Sequence, residues 1–339
     1  MSFFCIFLPI IAIVLDIFFK DPRSLPHPVQ AVGWLAKVFE PRARKFSERG
    51  LVCIPGVGEF QAGYISGTFY LLIILLLSGL LVYLLCSLPY IGFILAIYLA
   101  YAGLALGSLL REGELALKGI QGDDIQLARH AVSMLVSRDL SSADKETLYR
   151  ALAESLSENF NDALIAPFFW LLLGGPVGLW LYKAASTMDS LWGYRTEQWR
   201  YLGWASARLD DLLAWIPARI SALLLWIFSR FSPHEGSWPG FMLIKKDASQ
   251  MESPNAGWPM SASAWLHNAN MGGATVYFGE EKQKPRLGPE KPELEDKLHC
   301  ALLPWDATKI KALLAHLRLA GLGGCVLMWF VWLLVCLVF

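Results

Sequence analysis

Four stretches of this chain, residues 1–19, 67–88, 90–110 and 319–339, are almost uninterruptedly apolar. Crossing the hydrocarbon core of a bilayer as a helix takes about 20 such residues, and backbone at that depth must satisfy its own hydrogen bonds, which a helix does. The runs therefore predict an all-α integral membrane protein with four transmembrane helices. Composition agrees: 17% of the 339 residues are charged, against roughly 25% in soluble domains. The first run has no basic leader and no small-residue cleavage site, so it reads as a retained anchor rather than a signal peptide. The "GLGG" at 321–324 reads as small residues that let helices approach closely, not as a phosphate cradle.

Two further apolar runs are broken. Residues 163–182 are interrupted by Gly174, Gly175 and Pro176, and 212–228 carry Pro217 and Arg219. Irregular backbone and charge at membrane depth survive only where protein or a wet cavity covers them, so both runs are expected to be broken or re-entrant rather than simple spans. Seven Lys and Arg residues in 20–66 place that loop in the cytoplasm by the positive-inside rule. Segments two and three then form a hairpin through "SLP" at 87–89, returning the chain to the cytoplasm. The expectation is a single multi-pass membrane domain with cytoplasmic loops at about 20–66, 111–162 and 229–318.

Charge and cysteine usage remove other classes. Lys and Arg together number 29, as do Asp and Glu, so no basic surface for nucleic acid is indicated. The six cysteines are scattered without a CxxC spacing, which supports neither a disulfide framework nor a zinc site.

Four polar clusters break the apolar pattern. The first, "LDIFFKDPRSLPHPVQAVG" (15–33), holds Asp16, Asp21 and His27 in a stretch stiffened by proline. In the second, "ALAESLSENFNDALIAPFF" (151–169), Glu154, Glu158 and Asp162 recur every four residues and share a helical face beside Asn159. That row either binds a cation or polar substrate, or is a solvated face with Arg150 and Glu154 paired. The third begins "KAASTMDSLWGYR" (183–195) and continues through Arg208, Asp210, Asp211 and Arg219. On one continuous helix Arg208 and Arg219 would point the same way, with Asp211 beside them, forming a fork for phosphate. Adjacent acids are suited to magnesium, which takes one or two carboxylates plus phosphate oxygens and water; the competing structure is an Arg208–Asp211 pair within the helix. The fourth cluster, "ESPNAGWP" (252–259), is a turn-rich loop around Asn255. The charged run 280–297 reads as solvated surface.

Taken together and in order, these stretches resemble the adenosylcobinamide-phosphate synthase family of cobalamin biosynthesis. The residues that carry the likeness are "LDxxxxDPxxxPHPV" (15–29), "SRD" (137–139), Glu158-Asn159 with Asp162 and "IAP" (to 167), and "GGP" (174–176). They continue with "YKAxxTMDS" and "GY" (182–194), "SARLDDLLxWIPAR" (206–219), "SPNAGWP" (253–259) and "YFG" (277–279). The resemblance covers nearly the whole chain.

It implies a multi-pass enzyme of the bacterial inner membrane, its active site facing the cytoplasm. Such an enzyme joins the carboxylate of adenosylcobyric acid to aminopropanol phosphate, or a related amino alcohol, using ATP and Mg2+. The corrinoid is then a substrate and not a cofactor, and other membrane enzymes of cobalamin assembly are potential partners. On this footing Lys183, Thr187, Ser190, Asn159, Arg208, Arg219 and Asn255 are expected to bind substrate and phosphate. Asp189 with Asp210 or Asp211 would hold magnesium, and Glu158, Asp162 or His27 would orient or deprotonate the amine. These side chains are expected to line one cavity at the bilayer face. The sequence departs from the family at Ser186 (usually Asn), Ala163 (Gly), Met251 (His) and Met260 (Glu), and across "MSASAWLHNANM" (260–271). Those departures keep open a non-catalytic alternative: a transporter, a corrinoid-binding partner or a regulator.

Overall fold

The computed structural model describes residues 3–20, 27–53, 59–136, 138–194, 196, 199–232, 238–277, 280–289 and 303–338. Residues 21–26, Ser137, Arg195 and 278–279 of the stretches above, and 290–297 of the charged run, lie outside them. In chain order the helices begin with α1 (Phe3–Phe19), α2 (Pro28–Cys53), α3 (Glu59–Cys86), α4 (Gly92–Ala102), α5 (Leu106–Gln121) and α6 (Ile125–Ser133). Then follow α7 (Lys145–Phe160), a π-helical turn (Asn161–Ile165), α8 (Ala166–Trp192), α9 (Trp204–Leu213) and α10 (Trp215–Phe228). The chain finishes with α11 (Phe241–Ala248), α12 (Gly257–Leu266), strands β1 (Met271–Tyr277) and β2 (Glu280–Leu287), and α13 (Ala307–Val338). Among the described residues four stretches are long and apolar enough to cross a membrane: Ala62–Cys86, Gly92–Gln121, Lys145–Trp192 and Ala307–Val338. Only 28% of the apolar window in the first and 17% in the last is buried, so most of their Leu, Val and Phe side chains face outward, as a lipid-facing helix requires. The multi-pass membrane character is thereby supported.

The set differs from the four expected runs in two respects. The first run forms α1, which at 17 residues is shorter than these four, and Asp16 within it is fully buried. The run 163–182 instead forms part of a long helical stretch. That stretch is not straight. Gly175 takes φ 59°, ψ −157°, a region open essentially to glycine alone. A Cβ on Gly178 would lie 2.7 Å from the Trp170 carbonyl oxygen, and Ala166 packs in one apolar cluster with Tyr182. In a straight helix, residues sixteen apart are about 24 Å distant at 1.5 Å per residue. The chain therefore reverses at Gly174-Gly175-Pro176 into a helical hairpin, and its first arm, residues 166–174, is only about 13 Å long by the same rise.

Two compact units emerge. One comprises Met1–Leu104, Ala166–Ala214 and Val331–Phe339, the other Ala105–Ile165 and Trp215–Phe330. In the first, the second arm of α8 packs against α2, α3 and α9, burying Met188, Trp192 and Ala184 with Leu71, Ile74 and Ala36. Trp180 donates its indole N–H to the Leu99 carbonyl at 2.9 Å. Pro28, at the first helical position, opens α2, and His27 caps it: its Nδ1 accepts the Val29 N–H at 3.2 Å.

In the second unit α5, α6, α7 and α12 pack around a core of leucines and alanines. Asp144 caps α7 by accepting the Thr147 N–H at 2.8 Å. The tract 321–324 performs the packing role expected of it, since a Cβ on Gly321 would meet Leu106 at 2.7 Å and one on Gly324 would meet Leu224 at 2.6 Å. The expected all-α character needs one amendment: β1 and β2 form an antiparallel ribbon pairing Met271 with Leu287 and Tyr277 with Glu280. The described part of the run 280–297 is thus strand as far as Leu287, and Lys282, Gln283 and Arg286 on it are exposed, as a solvated surface requires.

Candidate active site

The single-helix premise behind an Arg208–Arg219 fork does not hold, because α9 and α10 are separate helices that meet at Ala214. Pro217 explains the break. It has no N–H to donate to the carbonyl of Leu213, four residues earlier; Trp170 Nε1 donates to that carbonyl instead, at 3.1 Å. Arg208 lies in the first unit and Arg219 in the second, so each belongs to its own local setting.

In the second unit the acidic row of α7 divides into two kinds of residue. Glu154 is buried, salt-bridged to Arg138 at 2.7 Å, and accepts the Gly272 backbone N–H at 2.8 Å. It pairs with Arg138 rather than with Arg150, and both its oxygens are engaged. Glu158 is exposed. It lies within electrostatic reach of Asp162 and of Lys284 on β2, a cation absent from the sequence expectation because its neighbours looked like plain surface. Asp162 sits in the π-helical turn, a feature found mostly at functional sites, and its Oδ1 accepts from Asn161 Nδ2 at 2.8 Å. The buried Asn161 Oδ1 has no partner among the described residues. Asn159 turns back on its own helix, donating to the Ser155 carbonyl at 2.9 Å. This turn packs on α10, which carries Arg219. The Arg219 guanidinium lies 4.0 Å from the Trp215 ring and 4.8 Å from the Trp258 ring, and donates to Asn255 Oδ1 at 3.3 Å. The second unit thus gathers Glu158, Asn159, Asp162, Arg219 and Asn255.

The first unit gathers the rest of the expected residues: His27, Lys183, Thr187, Asp189, Ser190, Arg208, Asp210 and Asp211. Lys183 to Ser190 ride on the second arm of α8, against which α9 packs with Arg208, Asp210 and Asp211. The Thr187 hydroxyl donates to the Lys183 carbonyl at 2.7 Å and the Ser190 hydroxyl to the Ser186 carbonyl at 3.0 Å. With their protons committed to the helix, both hydroxyls offer lone pairs outward. Asp189 Oδ1 folds over the helix end into the space a side chain on Gly193 would fill; glycine there admits the carboxylate. Arg208 is exposed and forms no ion pair with a described residue, so the alternative in which it neutralises Asp211 within the helix is not realised. His27, with Nδ1 accepting from Val29, carries a neutral imidazole's proton on Nε2, which suits it to donate a hydrogen bond. Its ring centroid lies 6.3 Å from that of Trp180.

Among the described residues no three His, Cys, Asp or Glu side chains are placed to hold a metal ion by themselves. The donor set still fits magnesium. That ion keeps most of its waters and needs only one or two carboxylates when a phosphate chain supplies further oxygens, and Asp189, Asp210 and Asp211 are oxygen donors of the required kind.

Long apolar helices, one apolar stretch broken into a helical hairpin, and polar clusters carried on those helices mark a multi-pass membrane protein. A family model described as "CobD/Cbib protein" matches residues 9–302, and the chain belongs to that family. It is similar to the "Cobalamin biosynthesis protein CobD" of Clostridium acetobutylicum, 32% identical over 289 residues covering 85% of this chain and 89% of the relative. It is also similar to the protein of that name from Stutzerimonas stutzeri, 36% identical over 305 residues covering 88% and 93%. No solved structure matches the chain.

Proposed function

We propose that the protein acts in cobalamin biosynthesis as an ATP-dependent ligase, joining the carboxylate of adenosylcobyric acid to the amine of aminopropanol phosphate or a related amino alcohol. The observation that carries the reading is the pair Glu158, in the last turn of α7, and Asp162, in the π-helical turn that follows, with Lys284 in electrostatic reach, in a chain of the CobD/Cbib family. The chemistry explains why such groups are needed. A carboxylate is a poor electrophile, so the γ-phosphoryl group of ATP is first transferred to it, giving an acyl phosphate and ADP. The amine then attacks the acyl carbon, loses a proton, and phosphate leaves.

Glu158 or Asp162 binds the ammonium form of the amine and takes its proton. Lys183 and Arg208 hold phosphoryl oxygens, and Asn255, steadied by Arg219, contributes a polar contact from its loop. His27 donates a hydrogen bond, while the outward lone pairs of Thr187 and Ser190 accept from amine or water. Bound by Asp189 with Asp210 or Asp211, magnesium would neutralise charge on the transferring phosphoryl group. The cytoplasmic face of the inner membrane is the setting in which ATP and the substrates meet.

The test is amide formation by purified protein in detergent, given the corrinoid acid, the amino-alcohol phosphate, ATP and Mg2+. ATP consumption that requires both other substrates supports the ligase; corrinoid binding without ATP consumption favours a transporter or binding partner. Asp189→Asn is expected to lower turnover by about a hundredfold or more, the scale of losing a charge-stabilising group. Activity near wild type in that variant removes the metal role of Asp189.

A further inference from the structure

The second unit holds a cavity of about 170 Å³ that none of the roles above uses. It lies at the start of α7 and the entry to the ribbon, with Glu146, Arg150, Gly272, Gly273, Arg286 and Trp305 among its walls. Two guanidiniums reach it from different elements, Arg150 from α7 and Arg286 from β2. Neither makes a hydrogen bond or ion pair with a described residue, and the buried Arg150 Nε–H has no acceptor. A buried donor left unmade is costly, so this N–H is served by what occupies the cavity, water or an anionic ligand. Gly273 takes a positive φ of 83°, which favours glycine, and the Arg150 Nη1 lies in ordinary contact distance, 3.9 Å, of where a Cβ on that residue would stand.

The walls are fixed in advance. Asn270 Oδ1 accepts the Leu303 N–H at 2.7 Å and its Nδ2 donates to the Pro289 carbonyl at 3.0 Å. The Trp305 indole donates to the Asn270 carbonyl at 3.0 Å. Glu146, one helical turn before Arg150, is exposed and offsets only part of the charge. We infer that this cavity binds the phosphate group of a small phosphomonoester. Two guanidiniums converging from separate elements match a tetrahedral oxyanion, whereas a planar carboxylate is held by one guanidinium fork. The volume lies well below the roughly 300–1,000 Å³ of pockets that enclose drug-sized ligands, so it admits a phosphate on a short stem and excludes a whole nucleotide. The inference does not depend on the ligation chemistry, because occupancy is read without turnover.

The experiment is calorimetric titration of the full-length protein in detergent with inorganic phosphate, aminopropanol phosphate, aminopropanol and ATP. Phosphate and aminopropanol phosphate are expected to bind and aminopropanol is not. Arg150→Gln and Arg286→Gln are each expected to weaken phosphate binding roughly tenfold or more, and Lys282→Gln on the same strand is expected to leave it unchanged. Arg286 is exposed on the ribbon, so its variant carries the test should Arg150→Gln fail to fold. Phosphate affinity indifferent to both arginines overturns the assignment, as does an equal loss in Lys282→Gln. An arginine-dependent affinity for ATP alone overturns it as well. A protein that binds phosphate in this way yet ligates nothing refutes the proposed reaction and leaves the pocket standing.

Discussion

Arg138 Nη2 lies 2.7 Å from Glu154 Oε2, and both side chains are about 5% exposed. The other oxygen of Glu154 accepts the N–H of Gly272, 118 residues away, so one carboxylate ties the loop before α7, the helix itself and the start of the ribbon. Removing one partner of such a pair strands the other as a buried charge. Arg138→Ala is expected to destabilise the protein by about 3–5 kcal/mol, read as a lowered unfolding midpoint in detergent. Replacing both, as Arg138→Met with Glu154→Leu, is expected to cost less than the single change, although the Gly272 N–H then loses its acceptor. An unchanged midpoint in Arg138→Ala would falsify the buried-pair account.

The hairpin of α8 depends on backbone conformation rather than on space. Neither Gly174 nor Gly175 has an atom within 4 Å of a would-be Cβ, but only Gly175 has a positive φ. Gly175→Ala is expected to cost about 1–3 kcal/mol, while Gly174→Ala changes stability far less. Equal midpoints for the two variants would contradict a conformational origin for the reversal.

Trp170 stands in for a missing backbone donor. Trp170→Phe keeps the ring and deletes the N–H that reaches the Leu213 carbonyl, an expected loss of about 1–3 kcal/mol for an unsatisfied acceptor. Pro217→Ala restores a backbone N–H at the position that would serve that carbonyl. In its background Trp170→Phe is expected to cost less, and additive losses in a double-variant cycle would argue that the two groups do not share the acceptor.

The Thr147 hydroxyl and backbone N–H hold the carboxyl of Asp144 below its ordinary range. Because that pKa is lower in the folded than in the unfolded chain, the ionised cap stabilises above the unfolded value and its contribution fades as pH falls through the folded one. Asp144→Ala is therefore expected to cost about 1 kcal/mol near neutral pH, with the difference from wild type shrinking below about pH 4. A penalty independent of pH would show that the charge plays no part.

Much of the membrane architecture was legible in the sequence because its causes are local. Apolar length set the helices at 67–88 and 319–339, and the tip at 87–89 divided α3 from α4. Gly174-Gly175-Pro176 marked a true chain reversal, and Pro217 a true helix break, since neither residue type needs a distant partner to disrupt a helix. The polar sites were legible as residue types in order, which is what the family likeness rests on. Their partners were not. Equal four-residue spacing made Glu154 and Glu158 look alike, yet one is locked between Arg138 and Gly272 while the other is open beside Lys284. Spacing along a helix fixes which face a side chain occupies; only tertiary structure brings a loop or strand from a hundred residues away to that face, and with it the charge that decides between a structural ion pair and an open carboxylate.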